Sequence, residues 1–585
     1  MPYSNERPEY EEINKIFDAA MSTGEAVNTP KREVIVKYSG SLDKLASDLN
    51  AQVELLGEDS AIVTLLREDI KKLYNYPEIE YFELSKRLVL TLLSSAESAC
   101  ITSVRDSADY GNLSGEGILV SIIDSGVDYT HPAFINADNT TRIRYIWDQT
   151  TPSEAPPSGF KYGTEYTSEQ INQALASENP LAIIPQLDVL GHGTAVCGAA
   201  AGNGRSQQPA YTGVAPKAAI MAVKLGRNEG EGTFARTTEL MRAVKYSYDK
   251  AAELGMPLVV NISYGSNDGA HDGVSIFESY LNKIAQRGKS CIIVASGNEG
   301  AAGHHFHTVL RNEPVVAEFS MSENITSLYA TIWKNFADVV SVEIVSPSGM
   351  SSGNVNIKNS PALVHLDGAI IYINAGQPSH YSTAQEIFAL VSPKGKFLSP
   401  GLGKIILKPI RIVDGRVDIW LPTLEEVTDR TSFLHPTTET TLTIPSTAFN
   451  VITVGGYNSK LDAEAAFSGR GYTRNNEFIK PDLVAPAVDV VSCRAGGGYG
   501  TFTGTSIAAP IVSGASALLM EWGIVKGNDP FLYGQRLKAF LQRNAARNPD
   551  REYPNPIWGY GTLCLKEAID NLITFKYLDE RRNLF

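Results

Sequence analysis

Three motifs that lie far apart in the chain place the strongest constraint on its fold. They contain Asp124 within 120–127, His192 within 191–194 and Ser506 within 504–510. An aspartate, a histidine and a serine in this order follow one of the chain orders that build a nucleophilic triad. Each motif alone is common in turns, whereas the ordered set is specific. The fold must therefore bring three distant segments of the chain to one place.

The chemistry of the three side chains is complementary. A serine hydroxyl becomes an effective nucleophile only when a neighbouring base removes its proton. His192 is predicted to be that base, and Asp124, at the end of an apolar strand, is predicted to orient the imidazole. Asn298 follows the apolar run 291–295 and is predicted to donate to a developing oxyanion. The backbone N–H of Ser506, at a helix start, is predicted to be the second donor.

Composition excludes several functional classes. The 585 residues exceed one average domain, and the net charge of −14 comes without a basic stripe, which argues against a nucleic-acid partner. Apolar runs such as 88–93 are too short to cross a bilayer, so no membrane partner is expected. Residues 1–7 lead into an acidic stretch without the apolar core of a secretory signal. Synthesis in the cytoplasm is the expectation.

The pattern of apolar residues divides the chain into four regions. Residues 33–90 follow a β-α-β-β-α-β order, which predicts a ferredoxin-like unit. Later, short apolar runs such as 258–262 alternate with helical segments, as in a parallel sheet with helices on both faces. Further on the helical period disappears in favour of short strands and turns, which predicts a β-sandwich. The predicted regions are a polar leader (1–30), a propeptide (31–96), an α/β catalytic domain (97–304 and 444–585) and an inserted jelly roll (305–443).

Metal and redox chemistry are not favoured by the sequence. The five cysteines are odd in number, widely spread and without a Cys-x-x-Cys pair, so neither a disulfide framework nor a structural zinc site is expected, and a reducing site of synthesis fits better. Cys197 is expected to be a small buried hydrophobe rather than a redox switch. The histidines at 304, 305 and 307 lack further ligand spacing and are expected in a solvated or groove-lining loop. The Gly-rich run 496–500 lacks a following Gly-Lys-Ser/Thr, so it predicts a turn.

The motifs together resemble the subtilase family over about 101–304 and 444–563. The resemblance implies a subtilisin-like α/β fold and a serine endopeptidase acting on protein or peptide substrates, with no redox cofactor. It also implies a groove that pairs with peptide backbone as added β-structure. Calcium, which many subtilases bind, is not favoured because loop 202–208 offers no carboxylate and carries a positive charge. The residues implied to line the groove are Ser263, Tyr264, Gly265, Ala295, Ser296 and Gly297.

The layout is also similar to that of the clostridial Csp germination proteases. That resemblance implies a propeptide that is cut in cis and retained, a spore-associated location, and a substrate that is the inactive precursor of a spore cortex hydrolase. The alternative is a non-catalytic sensor or scaffold whose groove is blocked by residues 90–96. Retention of all three triad residues favours the protease. Autocleavage is predicted within the window Leu92, Leu93, Ser94, Ser95, Ala96, Glu97 and Ser98.

Overall fold

A computed structural model describes most of the chain after residue 30. The described residues are 31–90, 95–96, 99–105, 107–152, 156–205, 211–226, 235–366, 368–379, 381–427, 430–474 and 478–582. The predicted leader and five residues of the predicted autocleavage window (92–94 and 97–98) lie outside them.

The N-terminal region forms a four-stranded antiparallel sheet. Its first strand buries alternate residues on opposite faces, because successive side chains of a strand point to opposite sides. Val34 and Val36 pack within the region, whereas Ile35 packs against the catalytic domain. In spatial order the strands are Gln52–Leu55, Ser60–Leu66, Lys31–Tyr38 and Ile79–Leu84, with one α-helix at Asp43–Asp48 and a 3-10 helix at Arg67–Asn75.

The catalytic domain is built on a nine-stranded, mainly parallel sheet. The central strand Leu119–Asp124 is fully buried. Val120 and Ile122 pack against one helical layer, and Leu119 and Ile123 against the other. The predicted parallel sheet with helices on both faces is therefore confirmed. In order the strands are Ala463–Glu464, Ile452–Asn458, Ser290–Ala295, Leu258–Ile262, Leu119–Asp124, Ala219–Lys224, Ile143–Asp148 and Thr164–Thr167, with Leu483–Pro486 beside Ile452–Asn458.

The helices of this domain cover both faces of the sheet. Helix Thr505–Met520, with the π-helical turn Glu521–Val525, is the one segment of the described chain that is long and apolar enough to cross a membrane. Its apolar window is 94% buried, as expected of a core helix. The α-helices are Thr102–Arg105, Ser168–Leu175, His192–Ala201, Thr237–Leu254, Ile276–Gln286, Thr505–Met520, Gly534–Arg543 and Leu565–Arg582, and 3-10 turns lie at Ala108–Tyr110, Pro132–Phe134 and Pro180–Ala182.

Residues 305–433 form two antiparallel sheets of six and five strands around their own apolar core. Ile332, Val342, Ile387 and Leu407 are buried between them. The first sheet contains, in order, His305–Val309, Arg416–Trp420, Leu328–Asn335, Ala384–Pro393, Ala369–Ala375 and Ala362–His365. The second contains Val355–Asn356, Val339–Val345, Gly401–Arg411, Val315–Met321 and Ser432–Phe433, with a 3-10 turn at Ile357–Asn359.

The cysteines depart from expectation in one respect. Cys100 and Cys564 form one disulfide between residues 464 positions apart in sequence, which the sequence did not predict. Spacing and count could not reveal this pair, because the fold brings the start and the end of the catalytic domain together. Cys197 is a buried free thiol, as predicted, and burial raises its pKa to about 12. That shift keeps the thiol protonated and unreactive at neutral pH.

Candidate active site

Asp124 and His192 meet at the carboxyl end of the central strand. Asp124 is the last residue of Leu119–Asp124, and His192 is the first residue of helix His192–Ala201. His192 Nδ1 lies 2.6 Å from Asp124 Oδ1, and both side chains are buried. The same oxygen accepts the backbone N–H of Ser125 at 2.7 Å, which fixes the carboxylate. The two side chains predicted to act together are therefore in direct contact.

The close approach of the histidine helix to the strand requires glycine. A Cβ at Gly193 would lie 2.1 Å from the carbonyl oxygen of Gly126 and 3.0 Å from Cβ of Asp124. Any other residue at 193 would push the helix away from the strand end. The Gly after the histidine in the motif is thus explained by packing.

Asp188 holds the start of this helix and was missed by the sequence analysis. Its carboxylate accepts bonds from Ser125 Oγ (2.7 Å), Gly191 N (2.9 Å), Thr194 N (2.8 Å) and Thr194 Oγ1 (2.6 Å). An acidic side chain is favourable there, because the first N–H groups of a helix lack partners and carry partial positive charge. The residue at the usual capping position is Gly191, and Asp188 lies three residues before it, so the ordinary capping signal does not identify Asp188.

Ser506 and Asn298 lie on two segments that are hydrogen-bonded to each other. Ser506 is the second residue of helix Thr505–Met520. Asn298 Oδ1 accepts both the N–H and the hydroxyl of Thr505 at 3.2 Å. Its oxygen is thereby fixed, and its amide nitrogen is left for another acceptor. Asn298 Nδ2 and Ser506 Oγ are both buried and have no hydrogen-bond partner among the described residues. A buried polar atom without a partner calls for an explanation, and here both atoms are free to bond a substrate.

The groove contains a strand of the chain's own N-terminal region. Strand Arg87–Leu90, called here the tail strand, runs antiparallel between Ala235–Arg236 and Tyr264–Gly265. Val89 pairs with Gly265 and Leu88 pairs with Ala235. The edge at 264–265 was predicted, whereas the opposite edge, Ala235–Arg236, was missed because its partner strand lies almost 150 residues earlier in the chain.

The other predicted groove residues also lie in this neighbourhood. Ser263 Oγ donates to the carbonyl oxygen of Ser506 at 3.1 Å, which links the groove edge to the serine helix. The segment Ala295–Gly297 does not pair with the tail strand within the described ranges. Its backbone groups bond Thr443 and Gly469. Its pairing with a substrate stays a prediction.

The described part of the predicted autocleavage window forms a short strand. Ser95–Ala96 pairs in parallel with Asp489–Val490 of strand Asp489–Cys493, which also pairs with Tyr499–Phe502. These strands precede the serine helix in the chain. The position of the cut itself stays a prediction.

The three neighbouring histidines are paired with carboxylates. His304 Nδ1 lies 2.6 Å from Glu299 Oε2. His305 Nε2 and His307 Nδ1 lie 3.2 and 2.8 Å from Asp418 Oδ1. His304 and His305 are buried, so the predicted solvated or groove-lining loop is wrong for both. The insertion packs over them, which no local pattern indicates.

Calcium does not fit the described residues of the loop after the histidine helix. The guanidinium of Arg205 donates to the carbonyl oxygens of Asn136 and Ala137 and to Asn139 Oδ1. A calcium ion needs six to eight oxygen ligands, and here a positive group binds the oxygens instead. Across the residues that the structure describes, there is also no cluster of His, Cys, Asp and Glu suited to a metal ion.

Comparison with known families agrees with this site. The model of the Subtilase family matches residues 115–368 and 431–561. The chain belongs to the subtilase family. The model of the Csp protease B prodomain matches residues 7–86. Subtilase core and Csp-type prodomain therefore occur in one chain.

Individual relatives give the same result. The structure of the CspB protease of Clostridium perfringens is 39% identical, with a TM-score of 0.75 over 81% of this chain and 96% of that one. Fervidolysin of Fervidobacterium pennivorans, at 16% identity and a TM-score of 0.50 over 94% of this chain and 62% of that one, shares the fold. The PII-type proteinase of Lactococcus lactis subsp. cremoris is 24% identical over 86% of this chain, which spans 28% of that proteinase. The chain is a subtilisin-like Csp protease.

Proposed function

We propose that this subtilase is made as a zymogen, cuts its own chain after the tail strand, and then activates the inactive precursor of a spore cortex hydrolase. The observation that carries the first part is the position of the tail strand. It pairs with Tyr264–Gly265, and the preceding residue, Ser263, donates its hydroxyl to the carbonyl oxygen of Ser506. A peptide bound in this way is presented to the nucleophile.

The proposed mechanism assigns one role to each side chain. His192 removes the proton of Ser506 Oγ as that oxygen attacks the scissile carbonyl carbon. Asn298 Nδ2 and the Ser506 N–H donate to the resulting oxyanion. His192 then gives the proton to the leaving amine, and Asp124 stabilises the imidazolium through its 2.6 Å contact. Water repeats the steps on the acyl-enzyme and releases the second product.

The finer architecture is part of the proposal. The order of the four strands in residues 31–84 supports a ferredoxin-like propeptide. The two facing antiparallel sheets of residues 305–433 support a jelly roll. The similarity of prodomain and fold to CspB supports association with spores and action on a cortex hydrolase precursor.

Autoprocessing is tested on a denaturing gel. Wild type is expected to give two bands, whereas Ser506→Ala gives one full-length band. Ser516→Ala is the matched control, because Ser516 is buried on the same helix and is not part of the site. A Ser506→Ala chain that is still cut between residues 90 and 99 would contradict the proposal.

Two further measurements separate the possible functions. A fluorophosphonate probe is expected to label wild type and not Ser506→Ala. Labelling of neither would support the non-catalytic sensor. Purified cortex hydrolase precursor is then incubated with untreated enzyme from a preparation that the probe was shown to label. A cut at one position of the precursor is expected. Labelling without that cut would retain the protease and reject this substrate.

A further inference from the structure

We propose that the groove extends beyond its strand-pairing edges into two acidic subsites, formed by Glu426 and Asp268, that select substrates with two consecutive basic residues before a buried aliphatic residue. This inference rests on the proposed function and names the substrate class of that same site. The juxtaposition that carries it is Lys86-Arg87-Leu88 of the tail against these two carboxylates.

The tail is bound as an extended peptide from residue 86 onward. Thr237 N donates to the Lys86 carbonyl oxygen at 2.8 Å, and Lys86 N donates to Thr237 Oγ1 at 3.0 Å. Arg87 then pairs with Arg236 and Leu88 with Ala235. These bonds involve main-chain groups of the tail, so a peptide of another sequence can make the same ones. Side chains at positions 86–88 must then supply the selectivity.

Leu88 shows what the groove accepts at one position. Its side chain is 1% exposed and packs in an apolar cluster with Leu225, Ala235 and Tyr264. Burial of a leucine side chain is worth about 1.5–3 kcal/mol. This pocket anchors the register, so the two preceding residues are brought to fixed positions.

Glu426 of the insertion faces the side chain at position 87. Its Oε1 lies 3.9 Å from Arg87 Nη1, and the two side chains are only 5% and 12% exposed. Its other oxygen accepts the hydroxyls of Tyr329 (3.1 Å) and Thr423 (3.2 Å) and the N–H of Thr423 (3.2 Å). Oε2 is thus held by the insertion itself, whereas Oε1 accepts no hydrogen bond within the described chain.

A carboxylate held in this way is costly without a cation nearby. Burial raises the pKa of Glu426, and the charge of Arg87 opposes that rise. A substrate that brings a basic side chain to the same place supplies the compensating charge, whereas a neutral or acidic one leaves a buried carboxylate unpaired. The insertion thereby contributes directly to peptide selection.

Asp268 of the catalytic domain faces the side chain at position 86. Lys86 Nζ donates to the Asp268 carbonyl oxygen at 3.0 Å and lies 3.5 Å from Asp268 Oδ1. Glu386 of the insertion also interacts electrostatically with Lys86. Glu83 is a third carboxylate near this lysine, but it belongs to the propeptide. When a substrate replaces the tail in the groove, Asp268 and Glu386 are the carboxylates that remain to bind its basic side chain.

The test compares hydrolysis of two peptides by enzyme that was produced as the complete chain and has processed itself. One has the native sequence of residues 84–99, and in the other Lys86 and Arg87 are replaced by glutamine. Wild type is expected to favour the native peptide by about tenfold or more in kcat/KM, and less so at high salt. Glu426→Gln and Asp268→Asn should each lower the ratio of kcat/KM for the native peptide to that for the neutral peptide. Equal kcat/KM for both peptides on wild type would overturn the inference.

Two controls keep the test decisive. Glu318→Gln removes a carboxylate from the insertion that is paired with Lys404 on its surface, and it should leave the preference unchanged. If Glu426→Gln fails to fold, wild type alone is compared on peptides with Arg, Gln or Glu at position 87. The expected ranking is Arg above Gln above Glu. Any other ranking rejects the Glu426 subsite.

A retained propeptide could exclude both peptides, and the test then moves into the chain itself. Autoprocessing rates are compared for Arg87→Gln, Glu426→Gln and the double variant. If the two side chains act as a pair, the double variant is no slower than the slower single variant. A double variant whose rate is reduced by the product of the two single-variant effects contradicts the inference. Failure of fluorophosphonate labelling would instead reject the proposed function, and the substrate class with it.

Discussion

Replacement of Asp188 by asparagine is expected to damage both stability and processing. The carboxylate accepts four hydrogen bonds, from Ser125, Gly191 and twice from Thr194. Asparagine retains one oxygen, so it can keep two of them. Its NH₂ group then faces the N–H and hydroxyl of Thr194, where an acceptor is required. A lost hydrogen bond to a charged group costs about 1.5–3 kcal/mol, so we expect a loss of about 3 kcal/mol.

The effect on processing follows from the position of His192 at the start of the same helix. A displacement of about 1 Å in a reacting group can cost about 100-fold in rate, and we expect autoprocessing to slow by about that factor. Stability is measured by denaturant unfolding in the Ser506→Ala background, where self-digestion cannot interfere. Autoprocessing is measured on a denaturing gel in chains that retain Ser506.

Asp138→Asn is the matched control. Asp138 also accepts the N–H and hydroxyl of a threonine, Thr140, but it lies on an exposed loop. We expect less than about 1 kcal/mol there, as for surface substitutions. If Asp188→Asn were no more damaging than Asp138→Asn in either assay, the claim that Asp188 positions the histidine helix would be refuted.

Three further perturbations have defined outcomes. Asn298→Ala should slow processing about 10²–10³-fold, the magnitude known from subtilisin itself, and should also lower thermal stability, because the N–H and hydroxyl of Thr505 lose their acceptor; a rate within a few-fold of wild type would exclude Asn298 from the oxyanion site. Asp418→Asn should destabilise the Ser506→Ala chain by about 3–5 kcal/mol, because Arg474 and His305 lose a buried carboxylate, and calorimetry showing an unchanged transition would contradict this. Burial lowers the pKa of His304, but the charge of Glu299 outweighs it and leaves the pKa raised. The stabilisation that His304 contributes should therefore be fully present below about pH 6.5 and be lost as pH rises through the folded pKa, and His304→Gln should flatten this fall in unfolding titrations.

Site residues are predictable from the sequence where their function depends on local geometry. Asp124 ends an apolar strand, and His192 and Ser506 begin helices rich in small residues, so short motifs were enough to assign them. Parallel strands bring their carboxyl ends to one edge, which makes convergence of such residues predictable.

Residues whose surroundings come from distant segments are not predictable in this way. His304 and His305 are buried, and His304 Nε2 lies 2.9 Å from the carbonyl oxygen of Thr431, which is more than 120 residues further along the chain. The Ala235–Arg236 edge pairs with a strand almost 150 residues earlier in the chain. Neither arrangement leaves a periodic signal in the sequence, and the same holds for the pairing of Cys100 with Cys564.

The contacts of Glu299 show why the insertion affects the catalytic site. Glu299 follows Asn298 directly and is 2% exposed. Its carboxylate lies 2.6 Å from His304 Nδ1 and accepts Asn267 Nδ2 at 2.9 Å and the N–H of Leu424 at 3.0 Å. Leu424 belongs to the end of the insertion, and Asn267 to the catalytic domain. The loop that carries the asparagine amide is therefore held from both sides, so the geometry of the oxyanion donor depends on a correctly folded insertion.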